Sequence, residues 1–85
     1  MSYTLIIKPA PDRVLESIVK PLRSRILKRI ASLSNNPRPA GVKKLKGVEN
    51  RWSLRMGNFR IIYEIHDDRL VILVIDIDHR RQVYR

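Results

Sequence analysis

Apolar and polar residues alternate along two neighbouring segments in the second half of the chain, residues 51–56 and 59–65. A period of two residues predicts β-strands. The Gly57-Asn58 pair between them predicts a type II′ hairpin turn, because glycine readily adopts the positive φ of the first central position. This turn would fix five opposed pairs: Met56 with Phe59, Leu54 with Ile61, Trp52 with Tyr63, Arg55 with Arg60, and Arg51 with Glu64.

This register makes one face of the hairpin apolar and the other mostly charged. Arg51 has Glu64 as a partner, whereas Arg55 and Arg60 have only each other, and like charges directly opposite on a sheet oppose folding. A phosphate held between two guanidinium groups would turn that repulsion into affinity. The alternative is that both side chains splay into solvent, where salt screens the repulsion.

Helical spacing of apolar residues characterises the first half, after a short strand over residues 3–8. Pro9 and Pro11 introduce a first helix, which we expect to end near Lys20 because Pro21 disfavours α geometry in the residue before it. Its apolar face holds Val14, Leu15, Ile18 and Val19. A second helix follows, with Leu22, Ile26, Ile30 and Leu33 at the same spacing and a basic outer surface.

Residues 34–41 are a cluster of helix breakers and predict a loop, and residues 42–50 predict an extended segment that bends at Gly47. The unbroken apolar run within residues 70–78 predicts a last strand buried on both faces. The order is therefore βααβββ in a single domain, residues 1–85. We expect an α+β fold of two layers, with an N-terminal strand, a helical hairpin and an antiparallel three-stranded meander.

Charge points to a polyanionic partner. The chain has 18 Lys and Arg against 8 Asp and Glu, a formal charge of +10. From Lys20 to Arg60 there are twelve basic residues and one acid, Glu49. Nucleic acid is the leading partner class, followed by an anionic membrane and an acidic protein. A surface that merely keeps the protein soluble would show the same charge.

Several other classes are excluded or disfavoured. The chain has no cysteine and only 2 histidines, so a disulfide framework, a thiolate metal site and a histidine cluster are excluded. Asp76 and Asp78 are spaced to share a face but have no evident third ligand, so we expect no metal and no cofactor. The absence of cysteine favours a reducing cytoplasm, and the apolar runs are too short for a membrane span. With nucleic acid as the leading partner class, we expect a cytoplasmic protein that is not held in a membrane.

Candidate chemistry gathers near the strand ends. If the turn at Asp67 and Asp68 keeps the expected parity, His79 lies on the same face as Arg60. Arg80, Arg81 and Tyr84 follow. Arginines, a group titrating near neutrality and a phenol suit metal-free RNA cleavage, in which the 2′-hydroxyl attacks the adjacent phosphate. An ordinary surface histidine at a strand end remains the alternative for His79.

Three motifs carry a resemblance to a known family: KKLKG at 43–47, RWSLRMGNFRIIYEI at 51–65, and LVILVIDIDHRRQVYR at 70–85. The chain resembles the RelE/ParE superfamily of bacterial toxins from toxin-antitoxin systems, on its RelE side. The resemblance implies a RelE-like fold and a type II toxin that enters the ribosomal A site. Such a toxin cuts mRNA there as an endoribonuclease without a metal, which inhibits translation.

The resemblance also implies roles for particular residues. Arg60 matches the family's phosphate-stabilising arginine, and Arg80, Tyr84 and His79 match the catalytic ending. Lys43, Lys44 and Lys46 match an RNA-contacting segment, and we place Arg51, Arg55 and Arg81 with them as RNA-binding residues. Arg51 stands where RelE has one of two catalytic lysines. Ser53 occupies the position of the other, which shifts proton transfer toward His79 and Tyr84 or implies slower cleavage.

The implied partners are the ribosome, mRNA and a cognate antitoxin in a heterodimer or heterotetramer, with operator DNA bound only through the antitoxin. Two alternatives stay open. Superfamily members that inhibit DNA gyrase share the fold but lack the nuclease residues. A basic nucleic-acid-binding module without catalysis would need only the charge, and should tolerate Tyr84→Phe with little loss.

Overall fold

A computed structural model of the protein describes residues 2–79, which form one five-stranded sheet and two helices. The strands are β1 (Thr4–Ile7), β2 (Lys43–Lys44), β3 (Arg51–Met56), β4 (Phe59–His66) and β5 (Val71–His79). The helices are α1 (Pro9–Glu16) and α2 (Lys20–Ser32), and the sheet order is β1-β5-β4-β3-β2. The predicted α+β fold is confirmed.

Both edges of the sheet differ from the prediction. The segment expected to be merely extended contributes β2, a two-residue strand that pairs antiparallel with β3. At the opposite edge β1 runs parallel to β5, so the sheet is mixed rather than antiparallel throughout. A parallel neighbour needs a long crossover. The two helices and strands β2, β3 and β4, which lie between β1 and β5 in the sequence, supply it.

The first helix ends earlier than predicted. Instead of continuing to Lys20, α1 stops at Glu16, and Ser17 closes its last turn with a hydroxyl hydrogen bond to the Val14 carbonyl, 2.7 Å. Val19 then takes an extended conformation as the N-cap of α2. Val19 was expected on the apolar face of the first helix, but it is 70% exposed because it lies outside both helices.

The hairpin register is confirmed at all five predicted pairs. Gly57 has a φ of 59°, whereas Asn58 is not among the residues with positive φ, as a type II′ turn requires. The helices cover the face of the sheet that carries Leu54, Ile61 and Tyr63. We call this the helix-covered face and the opposite one the outer face, which carries Arg55 and Arg60.

The last strand is not buried on both faces. Ile72, Val74 and Ile77 are buried, while Leu73 and Ile75 are only partly covered, because the helices cover a single face. Ile62 pairs with Asp76 but Tyr63 pairs with Val74, so Ile75 is an extra residue in β5. This β-bulge reverses which face each later residue of β5 occupies.

Candidate nucleic-acid interface

The outer face carries a cavity of about 340 Å³ in which most of the predicted RNA-binding residues meet. Because β2 extends the sheet beside β3, the lysines of the KKLKG motif come next to the arginines of the hairpin. We call this cavity the basic groove; it is lined by Gly41, Lys43, Lys44, Leu45, Lys46, Ser53, Arg55 and Arg60. Five of these residues are cations and none is an acid. Lys44 pairs with Trp52, however, so its ammonium lies near that ring on the helix-covered face, and the other four cations remain for the outer face.

Arg60 lies in the middle of a row of charges across three strands. It is opposite Arg55 on β3, as predicted, and opposite Asp78 on β5. Its Nη2 donates a hydrogen bond to Asp78 Oδ2 at 3.0 Å. The expectation that Arg55 and Arg60 have only each other is therefore wrong, because the bulge in β5 turns Asp78 toward Arg60.

One donor of Arg60 is both buried and unused. Its Nε is shielded from solvent and has no hydrogen-bond partner among residues 2–79, although the side chain as a whole is 36% exposed. A buried donor without a partner costs free energy that an acceptor at that position would recover. Arg60 therefore lines the groove with one donor that no acceptor among residues 2–79 uses.

His79 does not lie beside Arg60. It pairs with Phe59, and the two rings stack with centroids 4.4 Å apart and planes 13° apart. Without the bulge, Ile77 would face Arg60 and His79 would share that face, which is the arrangement predicted from parity. His79 instead borders a cavity of about 610 Å³ between the helices and the hairpin turn.

Arg51 lies outside the basic groove, in a second polar cluster on the outer face. Its Nε donates to Glu64 Oε2 at 3.1 Å, and His66 Nε2 lies 2.9 Å from Glu64 Oε1. Partial burial raises the pKa of Glu64, but the hydrogen bonds from His66 and Arg51 outweigh it and hold the pKa below its usual range. Sequence reasoning missed His66, although its two-residue spacing from Glu64 indicates a shared face.

A further set of contacts holds the loop before β2 against the sheet. Arg38 Nη2 bonds Asp67 Oδ2 at 2.8 Å, and Tyr3 Oη donates to Asp67 Oδ1 at 2.6 Å. The Arg38 guanidinium lies 5.2 Å from the ring centroid of Trp52, and Lys44 Nζ lies 5.9 Å from it. These contacts fix the rim of the groove on which Lys43 and Lys44 stand.

The buried tyrosine of β4 ties the same loop to the core. Tyr63 Oη donates to the Pro37 carbonyl at 2.7 Å. Burial of the side chain raises the pKa of Tyr63 to about 12. The loop is therefore attached at both Pro37 and Arg38, a few residues before the lysines of the groove.

The remaining predicted site residues, Arg80, Arg81 and Tyr84, lie outside the described residues. Within residues 2–79, no group of three or more His, Cys, Asp or Glu side chains is placed to hold a metal ion. In the same range, neither helix is long and apolar enough to cross a membrane.

Comparison with known proteins identifies the class. Residues 5–84 match the family model described as the ParE toxin of the type II toxin-antitoxin system, parDE. A match over nearly the whole chain makes this protein a toxin of the type II toxin-antitoxin class. It belongs to the ParE toxin family, within the RelE/ParE superfamily that its motifs indicated.

Individual relatives agree with this assignment. The chain is 27% identical over 75 residues to Toxin RelG of Mycobacterium tuberculosis, covering 88% of this chain and 78% of that protein. The RelE-RelB complex of Pyrococcus horikoshii contains a chain that is 27% identical, with a TM-score of 0.84 and coverage of 94% and 97%. The intact Escherichia coli RelBE complex, at 19% identity, shares the fold with a TM-score of 0.80 over 92% and 96% of the two chains.

Proposed function

We propose that this toxin inhibits translation by cleaving mRNA in the ribosomal A site, as a metal-free, ribosome-dependent endoribonuclease. The observation that carries the proposal is Arg60, which lines the basic groove and has a buried Nε–H without a hydrogen-bond partner among residues 2–79. A groove without an acid among its lining residues attracts phosphates. An arginine held in place within it can stabilise charge that develops during a reaction.

The chemistry divides into charge stabilisation and proton transfer. The 2′-oxygen forms a bond to phosphorus while the bond from phosphorus to the 5′-oxygen breaks. One proton leaves the 2′-hydroxyl and one reaches the 5′-oxygen. We assign the extra negative charge of the phosphorane to Arg60, assisted by Arg80 from the tail, because guanidinium groups donate to phosphate oxygens in a fork.

The resemblance names Tyr84 and His79 for proton transfer. Because His79 faces the helices, we assign the 2′-hydroxyl proton to Tyr84 as a phenolate, which neighbouring cations would stabilise, and the proton that reaches the 5′-oxygen to water. Lys43, Lys44 and Lys46 would hold flanking phosphates, together with Arg55, Arg51 and Arg81. These contacts position the RNA, whereas base contacts would be needed to read its sequence.

A second candidate function is inhibition of DNA gyrase. The family model that matches is described as a ParE toxin. The resemblance noted in the sequence implies in addition that the superfamily includes gyrase inhibitors of the same fold. Such a toxin would need the basic surface but would not need the unused donor of Arg60. Cleavage of messages therefore distinguishes the two functions.

We also propose a cognate antitoxin as the partner, in a heterodimer or heterotetramer, with operator DNA contacted only through it. The support is that the similar Pyrococcus horikoshii RelE is in a complex with RelB. Exposed apolar residues are available for such a contact, since Ile6 on the edge strand β1 is 45% exposed and Val19 is 70% exposed. Co-purification with the neighbouring gene product, followed by a sizing measurement, tests this partner.

The decisive experiment maps mRNA 5′ ends after brief expression of the wild-type toxin, Arg60→Ala and Arg69→Ala. Arg69 is an exposed arginine in the turn before β5 and does not line the groove, so it controls for the loss of one charge. Cuts within translated regions that disappear only in Arg60→Ala support the nuclease. Intact messages with arrested growth would favour gyrase, and intact messages with normal growth would favour a binding module.

A further inference from the structure

The residue that faces Arg60 from β5 is set by the bulge. Continuing the pairing of Tyr63 with Val74 without an extra residue would place Ile77 opposite Arg60. Because Ile75 is an extra residue in β5 without a partner on β4, Asp78 faces Arg60 instead. The chain thus brings a carboxylate to Arg60, which we place at the reacting phosphate.

Asp78 changes the electrostatics of Arg60 in two opposing ways. Its carboxylate accepts a hydrogen bond from Nη2, which gives Arg60 a fixed partner on the side away from Arg55. The same negative charge lies next to the position that a phosphate would take, and like charges at that distance repel. Asp78 therefore favours an ordered guanidinium and disfavours a bound phosphate.

The pair is not explained by stability alone. Its two side chains are 36% and 45% exposed, and ion pairs exposed to that degree contribute little to folding. The buried Nε is the unusual feature, because an arginine free to move could turn that donor toward water. With Nη2 bonded to Asp78, the Nε–H stays in its shielded place beside the groove.

We infer that Asp78 is a positioning residue that orients Arg60 for the phosphorane while lowering the affinity of the groove for RNA. The inference rests on the proposed nuclease function and extends it to a residue that touches neither substrate nor reacting atoms. Pre-organised donors accelerate a reaction because they need not be reordered as charge develops, and a small misplacement is costly. Asp78 would then lower the affinity of the groove for RNA and raise kcat.

The test compares Asp78→Asn with Asp76→Asn. Asp76 is an exposed residue of the same strand on the same outer face, but it pairs with Ile62 and makes no ion pair within residues 2–79. Both variants lose one negative charge. The measurements are the dissociation constant for a 2′-O-methylated single-stranded RNA, kcat and KM for cleavage on programmed ribosomes, and the NMR signal of the Arg60 Nε–H.

We expect Asp78→Asn to bind the methylated RNA about fivefold more tightly, since a charge next to the phosphate is removed. Its kcat should fall about tenfold, and the Arg60 Nε–H signal should broaden or exchange faster with water. Asp76→Asn should stay within about twofold of the wild type in binding and in kcat. Opposite shifts in affinity and kcat distinguish positioning from a merely structural role.

Three results would overturn the inference. If both affinity and kcat rise in Asp78→Asn, Asp78 merely competes with the RNA phosphate for Arg60. A parallel fall with a lowered melting temperature would make it structural, and an unchanged Arg60 Nε–H signal would show that it does not order the arginine. If the wild-type toxin cleaves nothing on ribosomes, the nuclease proposal fails by itself, while the NMR signal and the RNA affinity still decide whether Asp78 orders Arg60.

Discussion

His79 stacks on Phe59 with ring centroids 4.4 Å apart, on the helix-covered face of the sheet. Phe59 is the first residue after the hairpin turn and is 8% exposed. The stack therefore closes the end of the core where β4 begins and β5 ends. This position gives His79 a measurable role in stability, whatever it contributes to catalysis.

We predict that His79→Ala lowers the free energy of unfolding by about 0.5 to 1.5 kcal/mol, the usual value of an aromatic pair beyond its buried area. His79→Phe keeps a ring over Phe59 and should retain most of that stability. Urea denaturation of the two variants beside the wild type measures the difference. Equal destabilisation by both substitutions would show that the imidazole nitrogens, rather than the stack, matter for folding.

The position of His79 also shows where sequence reasoning reaches its limit. Local signals predicted the hairpin correctly, because the Gly57-Asn58 turn and the alternation around it act on adjacent residues. Pairing between β4 and β5 depends in addition on the extra residue Ile75, and no glycine, proline or polar residue in that apolar run indicates a bulge. The faces of Asp78 and His79 could therefore not be predicted.

The basic groove was predictable in composition but not in shape. The KKLKG motif and the two hairpin arginines were both singled out, yet only the two-residue strand β2 brings them to one cavity. A strand that short carries no periodic signal. Long-range contacts such as the one between Arg38 and Asp67 could not be predicted either, because the two residues lie 29 positions apart and neither belongs to a motif.

The lysines of the groove should contribute to RNA affinity through phosphates. We predict that Lys43→Ala reduces the slope of log affinity against log salt concentration by about 0.7 for a single-stranded RNA, the value of one phosphate contact. Lys28→Ala, on the exposed surface of α2, is the control and should leave the slope unchanged. Filter binding at several salt concentrations measures both, and equal slopes for the two variants would place the RNA elsewhere.

Tyr63 should make the fold sensitive to alkaline pH. Its pKa is raised from 10.0 to about 12 by burial, so its neutral form stabilises the fold fully below pH 10 and that contribution is lost as the pH rises toward 12. Tyr63→Phe should lower stability at pH 7 by about 1 kcal/mol, because the Pro37 carbonyl loses its donor. The variant should also lose less stability than the wild type between those two pH values. Thermal unfolding across that range checks both effects.

Glu64 should make the stability of the fold sensitive to acid pH. Its pKa lies below the usual 4.5, so its stabilising effect is present above that value and is lost as the pH falls through the lowered pKa. The difference in melting temperature between the wild type and Glu64→Gln should therefore shrink as the pH is lowered from neutrality into the acid range. Glu49→Gln changes the same charge at an exposed residue without an ion pair among residues 2–79. A difference that persists unchanged in acid would mean that the Glu64 cluster does not stabilise the fold.

Arg60 and Arg55 form a matched pair for testing whether Arg60 acts in the chemical step, since they lie opposite each other and both line the groove. Only Arg60 has the buried Nε–H, so only Arg60 should require a guanidinium rather than a positive charge. We predict that Arg60→Lys lowers kcat by about 10² to 10³, the usual cost of one donor to a developing oxyanion, with RNA affinity changed less than about threefold.

Arg55→Lys should keep kcat within about fivefold of the wild type, because a lysine there still attracts phosphate. Single-turnover cleavage on programmed ribosomes gives kcat, and binding of 2′-O-methylated RNA gives the affinity. Similar losses in both lysine variants would assign the effect to the shape of the groove as a whole. A loss of affinity in Arg60→Lys as large as its loss of rate would mean that Arg60 binds the ground state and the transition state equally, which would remove it from the chemical step.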